Sequence, residues 1–120
     1  MMETGAKETC VLVPRAEVIA RLNDAVRQSG TGGVIVVTAG VRALCGFRET
    51  ELLSALAGYD RFDSDNDPHG ERDFGDFELF GADLLWKLDY YDLELRYGSD
   101  DPANDDSTVR VLTIMLACEY

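Results

Sequence analysis

The sequence is short of the features that announce the common functions. Its 120 residues hold one histidine (His69), three cysteines (Cys10, Cys45 and Cys118), two lysines among eleven basic residues, and no long apolar run. A membrane-spanning helix needs about 18 to 20 apolar residues, so none is expected. The start, METGAKETCVLVP, lacks the basic stretch and apolar core of a secretory signal. Cysteines that are odd in number and widely spaced make no disulfide framework. They read as reduced thiols and point to the cytoplasm. One histidine with scattered cysteines also excludes the paired ligand spacing of a structural zinc site. The glycine-rich GTGGV precedes a predicted strand instead of following one and lacks the Lys-Ser/Thr pair, so it is no phosphate loop.

What is present suits a globular domain. The chain is 46% hydrophobic with Trp86 and ten Phe or Tyr residues, enough to bury a core without cross-links. Residues 1–12 read as a flexible N-terminal tail, ending in a short extended piece, CVLV, and 13–120 as a single α+β domain. No internal repeat is visible. The net charge of −12 is unevenly placed: residues 60–106 hold 16 of the 23 acids and four of the eleven basic residues. Elsewhere the charges balance at seven of each, so this segment carries the whole excess. Such a surface repels phosphates and anionic lipid, which argues against direct nucleic-acid or membrane binding. It attracts cations and basic protein surfaces.

Periodicity predicts the elements. Pro14 suits the first turn of a helix over RAEVIARLNDAVRQS, with Val18, Ile19, Leu22, Ala25 and Val26 on one stripe and Arg15, Arg21 and Arg27 on other faces. Gly30 is its stop. VIVVT is a buried strand, AGVRALCGF a connector, and RETELLSALAGY a second helix that buries Leu52, Leu53 and Leu56. After an acidic loop over 60–73, FGDFELF and LLWKLDYYD form a hairpin about Gly81-Ala82-Asp83, with Leu84, Trp86, Leu88 and Tyr90 alternating against Leu85, Lys87, Asp89 and Tyr91. LELRYGSDDPANDDS is a polar loop. TVRVLTIMLACEY closes the chain as a strand. The order predicts an antiparallel sheet of about four strands with two helices packed on one face. Both acidic loops flank the hairpin and are expected to merge at one end of the sheet.

Residues 63–76, DSDNDPHGERDFGD, gather six acids and the only histidine. As a calcium loop beginning at Asp65, the alternating positions fall on Asp67 and His69, the turn on Gly70, and further ligands on Asp73 and Asp76. Histidine is a poor calcium ligand, and a terminal Asp is shorter than the usual Glu. Beginning at Asp63, Pro68 replaces the turn glycine and Phe74 falls on the acid. A divalent cation bound by Asp65, Asp67, His69, Asp73 and Asp76 is therefore the weaker alternative. Catalysis would use His69 as a general base oriented by Glu71 or Asp73, yet no nucleophile stands near in the pattern; Ser64 is local and Cys45 follows no nucleophile motif. The plain reading of these residues is a solvated turn about Asp67-Pro68-His69-Gly70. Of the aromatics Phe74, Phe77, Phe80, Trp86, Tyr90 and Tyr91, most read as core, and Tyr91 between Asp89 and Asp92 as surface.

The blocks DNDPHGERDFG, WKLDYYD and RVLTIMLACEY, with RLNDAVR and VVTAGV, resemble a family of small proteobacterial proteins known only as domain of unknown function 3768. The resemblance covers most of residues 20–120. It carries no catalytic or binding residues across, and where Arg72 stands the family pattern has histidine, which weakens any two-histidine metal site. It further implies members borne on plasmids and integrative elements, and with them a role against host defence of the anti-CRISPR or anti-restriction type.

The function expected is that of a small, acidic, non-enzymatic interaction protein that imitates nucleic acid and blocks a basic surface of another protein. Its face would comprise Asp63, Asp65, Asp67, Glu71, Asp73, Asp76, Tyr91, Asp92, Asp100, Asp101, Asp105 and Asp106. The alternative is a metal-dependent hydrolase-like enzyme using the loop 63–76.

Overall fold

The computed structural model describes residues 13–120, so the expected tail over 1–12 lies outside the described residues. Pro14 is the N-cap of helix α1 (Arg15–Ser29), and its φ of −62° leads the chain into the first turn. Gly30 ends the helix at φ 75°, where Gly30 and Thr31 donate their amides to the carbonyls of Val26 and Ala25. Glycine adopts this left-handed stop at least cost. The inner face of α1 carries Ile19, Ala20, Asn23, Val26 and Arg27. Arg27, expected on an outer face, is therefore buried, and its role belongs to the site described below.

Strand β1 (Gly33–Val37) follows, then a single helical turn α2 (Ala39–Arg42) in which Thr38 Oγ1 accepts the Val41 amide, then α3 (Glu49–Ala57). The connector AGVRALCGF thus holds a short helix that buries Val41. Helix α3 buries Leu52 and Leu56, and Thr50 lies inside it. After the acidic loop come β2 (Phe74–Leu79), β3 (Ala82–Tyr91) and β4 (Val109–Leu116).

The fold is α+β, and the described residues form a four-stranded sheet in the order β1-β4-β3-β2. The sheet is mostly antiparallel, as expected, but β1 pairs with β4 in parallel. The reason is topological. Helix α3 returns the chain across the sheet, so β1 and β2 start at the same end. Two antiparallel steps from β2 then leave β4 running in the direction of β1.

The hairpin turn also differs by one position. Leu79 pairs with Ala82, so Phe80-Gly81 form the turn, both with positive φ (55° and 73°). A two-residue turn of this hand matches the twist of the strands, but a left-handed Phe costs about 1–2 kcal/mol. Edge-to-face packing of Phe80 on Phe47, with centroids 5.7 Å apart, offsets part of that cost.

The core forms where Leu84, Trp86 and Leu88 of β3 and Leu112 and Ile114 of β4 meet Val26, Leu52, Leu56 and Tyr59. Trp86 is fully buried and lies edge-on to Tyr59 and Phe62. Two glycines permit this packing. A Cβ on Gly75 would stand 2.5 Å from Trp86 Nε1 and from Tyr59 Cζ, and one on Gly33 would stand 2.8 Å from Val26.

Candidate functional site

The two acidic loops occupy one end of the sheet. The first precedes β2, the second joins β3 to β4, and both lie where β1, β2 and β4 begin and β3 ends. In the first loop the chain builds its own turns. Asp63 Oδ1 accepts the amides of Asp65 and Asn66 at 2.9 and 3.0 Å, and the Asp67 amide donates to the Asp63 carbonyl at 2.8 Å. Asp67 Oδ1 then accepts the amide of Arg72, whose φ is 54°. Short polar side chains bonding their own backbone stabilise such turns. Asp63 and Asp67 are thus occupied in shaping the loop.

In the second loop Asp92 Oδ1 accepts the Arg96 amide, and Asn104 Oδ1 accepts the Asp106 amide to start a 3-10 turn at Asp105–Ser107. Asp101 pairs with Arg15 of α1 at 3.1 Å, both ends exposed. Leu93, Leu95 and Tyr97 project from this loop with 59, 57 and 72% of their surface exposed, beside Asp92 and Glu94.

Beneath the loops lies a polar network that ties both to α1. Arg110 of β4 is fully buried; its Nε donates to Asn23 Oδ1 at 2.9 Å, its Nη1 to Asp105 at 3.2 Å, and its Nη2 to the Pro102 carbonyl. Burial pushes the Arg110 pKa down, and Asp105 opposes that shift. Asn23 Nδ2 donates to the Glu71 carbonyl at 3.0 Å and to the Tyr90 hydroxyl at 2.9 Å, and that hydroxyl donates to Glu71 Oε1 at 2.9 Å. Burial foremost pushes the Tyr90 pKa up, and Glu71 adds to it, so the hydroxyl keeps its proton.

A second cluster sits alongside. Asp24 receives Arg72 Nε on both carboxylate oxygens at 3.1 Å and Arg27 Nη2 at 3.1 Å. The hydrogen bond to Asp24 is the main reason that the Arg72 pKa is raised. Arg27 Nη1 caps the end of α3, donating to the carbonyls of Leu56, Ala57 and Tyr59, while its guanidinium lies over Phe62 and Trp86. Helix-terminal carbonyls lack internal partners, and a buried arginine supplies several donors at once.

The predicted site residues divide accordingly. Glu71 and Asp105 join the network, while Asp63, Asp67 and Asp92 hold turns. Asp65, Asp76, Asp100 and Asp106 are exposed and carry no ion pair among the described residues. Asp76 lies on the far edge strand, where its backbone carbonyl accepts from Arg61. Tyr91 is half-buried on the sheet face opposite the helices. Asp73 is half-buried. Burial first, then Glu71 and Asp67, raise its pKa, and the nearby His69 opposes them. Among the described residues no three His, Cys, Asp or Glu side chains are grouped to hold a metal ion, so Asp65, Asp67, His69, Asp73 and Asp76 do not form one cluster.

Sequence reasoning missed Asn23, Asp24, Arg27, Arg72 and Arg110. A signal existed for three of them. Asn23 and Arg27 fall at the helical spacing of Ile19 and Val26, and Arg110 alternates with Leu112 and Ile114. Polar residues at core-facing positions mark a buried network.

A family model described as a protein of unknown function (DUF3768) matches residues 37–119. The chain belongs to the DUF3768 family. The match runs from the end of β1 to the last turn and leaves α1 outside it, a shorter span than the resemblance over 20–120. It includes both acidic loops, Tyr90 and Arg110, whereas Asn23, Asp24 and Arg27 precede it. No curated protein and no solved structure matches the chain.

Proposed function

We propose that this member of DUF3768 is a small cytoplasmic interaction protein whose acidic end docks on a basic surface of a nucleic-acid-binding protein and competes with nucleic acid there. The observation that carries the reading is the end of the sheet itself. Two loops hold twelve of the sixteen acids of residues 60–106, arginines anchor them from inside, and the unpaired carboxylates face solvent. Fixed charges of one sign steer a complementary surface, and carboxylates spaced along a groove take the place of phosphates. Exposed Leu93, Leu95 and Tyr97 beside those acids supply the apolar anchors through which protein interfaces gain affinity. A defence effector of the host is the partner this reading favours if the gene is carried on a mobile element.

The test is affinity capture on the immobilised protein from extracts of a host cell, with proteins identified after elution at rising salt. A variant carrying Asp65→Asn, Asp100→Asn, Asp101→Asn and Asp106→Asn is the control. Basic nucleic-acid-binding proteins should be retained by the parent, released between about 0.05 and 0.2 M salt, and lost on the variant. Retention that ignores both salt and the variant would refute mimicry. The metal-dependent hydrolase reading ranks second, favoured by the half-buried carboxyl of Asp73, whose pKa burial and the neighbouring Glu71 raise. Calorimetric titration with Ca²⁺, Mg²⁺, Mn²⁺ and Zn²⁺ decides it.

A further inference from the structure

The two edges of the sheet are finished differently. On β2, the Asp76 carbonyl accepts from Arg61 and its amide reaches the Tyr59 hydroxyl, so side chains occupy the outward backbone groups. Asp76 and Glu78 add exposed charge to that strand. These are the usual devices by which an edge avoids pairing with another chain. Strand β1, GVIVV, has none of them. It carries no charge and no proline, and Val34 and Val36 are 51 and 41% exposed on the face away from the helices. The Thr38 amide donates inward to Ile114, so strand alternation turns the amides and carbonyls of Gly33, Ile35 and Val37 outward. Among the described residues none of these groups has a backbone partner. On the helix side of the same strand, Ile35 and Leu53 line a shallow cleft with Gln28, Ser29 and Gly30.

We propose that β1 is a self-association edge, pairing antiparallel with β1 of a second copy across a two-fold axis through Ile35. The strand is nearly palindromic about that residue. Ile35 faces its own copy, Gly33 faces Val37, and these outward pairs exchange backbone hydrogen bonds in the antiparallel pattern. Val34 then meets Val36 of the other copy as a close non-hydrogen-bonded pair, twice, and the most exposed valines are covered. The result is a continuous eight-stranded sheet.

The near-palindrome points to a second copy as the occupant, and charge fixes the direction. The excess of −12 belongs to residues 60–106, and β1 carries none of it. Asp105 sits beside Gly32 at the entry of β1, so parallel pairing would set two acidic ends side by side. Antiparallel pairing sends them to opposite ends of the joined sheet. An isologous two-fold contact of this kind closes on itself and forms no filament.

The test is the mass of the whole chain by sedimentation or light scattering at about 100 µM and moderate salt, where a short edge contact should be populated. The parent should run as a dimer of the 13.3 kDa chain, and Val34→Lys/Val36→Lys as a folded monomer by circular dichroism. Mixing that variant with Val34→Glu/Val36→Glu should restore a dimer, because both pairs between positions 34 and 36 become Lys opposite Glu. A monomeric parent would overturn the proposal. So would a lysine variant that stays dimeric, or a mixture of two folded variants that fails to pair.

Discussion

Arg110→Met tests whether the acidic end is held from inside. Methionine preserves an unbranched apolar side chain while the guanidinium disappears. Three hydrogen bonds are lost, and they differ in weight. Asn23 is fully buried and its Oδ1 takes its hydrogen bond from Arg110, so stripping that acceptor costs about 1–3 kcal/mol. The Pro102 carbonyl is part-buried and loses about 1 kcal/mol. Asp105 is 49% exposed, so water replaces its partner at a cost of about 0.5 kcal/mol or less. Against these stands the desolvation of a buried cation, the same effect that lowers its pKa, which methionine avoids. The net expectation is a loss of about 2–3 kcal/mol.

Urea unfolding at a fixed protein concentration measures it. A domain of this size has a slope of about 1–3 kcal/mol per molar urea, so the midpoint should fall by about 0.7–3 M. The double variant Asn23→Leu/Arg110→Met sharpens the test. With both partners apolar the Asn23–Arg110 contact leaves no orphan of its own, although the Glu71 and Pro102 carbonyls still lose their donors, and the double variant should lose less than the sum of the two single variants. A midpoint that moves by less than about 0.3 M in Arg110→Met, or strict additivity in the double variant, would show that the network does not hold the loops as described.

Four further outcomes are expected. Gly75→Ala should lower stability by about 1–3 kcal/mol in thermal unfolding, because its methyl enters the space of Trp86 and Tyr59; an unchanged midpoint would mean that the rings have room to move. Asp73 has a raised folded pKa, so the native state holds its proton to higher pH and stability falls as pH rises from the unfolded value through the folded one. Asp73→Asn should therefore raise the midpoint at pH 7 and lose that advantage near pH 3, and an equal effect at both would contradict the assignment. Leu95→Ser/Tyr97→Ser should leave urea unfolding unchanged, since both side chains are mostly exposed, and should weaken partner retention at least tenfold, about 1.4 kcal/mol. In the calorimetric titration, stoichiometric binding abolished by Asp65→Ala/Asp67→Ala would put the metal-dependent reading first, whereas heats that vanish with added salt would leave the acidic surface as a docking face.

Much of the fold was legible because its hydrophobic pattern is regular. Alternation in LLWKLDYY and VRVLTIML places Leu84, Trp86 and Leu88 beside Leu112 and Ile114, and Gly30 marks the end of α1 where the structure has it. The parallel pairing of β1 was not legible, since periodicity gives the faces of a strand and says nothing about its neighbour. The turn at Phe80-Gly81 was missed because phenylalanine is a poor left-handed residue, and a contact with Phe47, 33 positions earlier, stabilises it. In the candidate site, the acids were found from composition, but their division into structural and solvent-facing groups was not. Asp63 and Asp67 look like Asp65 in the sequence; only the turn geometry shows which carboxylates are occupied.

The buried arginines bear on why the acidity is there at all. An acidic surface that serves only solubility needs charge, and its loops can move freely. Here Arg72, Arg110 and Arg15 reach across 48, five and 86 positions to an aspartate; Arg110 lies wholly inside the protein and Arg72 is half-buried. Placing guanidinium groups there costs desolvation, and the closely spaced carboxylates repel one another besides. Replacing a whole buried charged network with well-packed apolar residues is often neutral or stabilising, so stability alone does not call for it. The network gives instead a set of carboxylates at defined positions, with Asp65, Asp100 and Asp106 left unpaired among the described residues and exposed on loops that the network ties to α1. Preorganised charge gains nothing in solution, but it lowers the ordering cost of meeting a complementary surface. That difference is what favours a docking role over a solvating one for this end of the sheet.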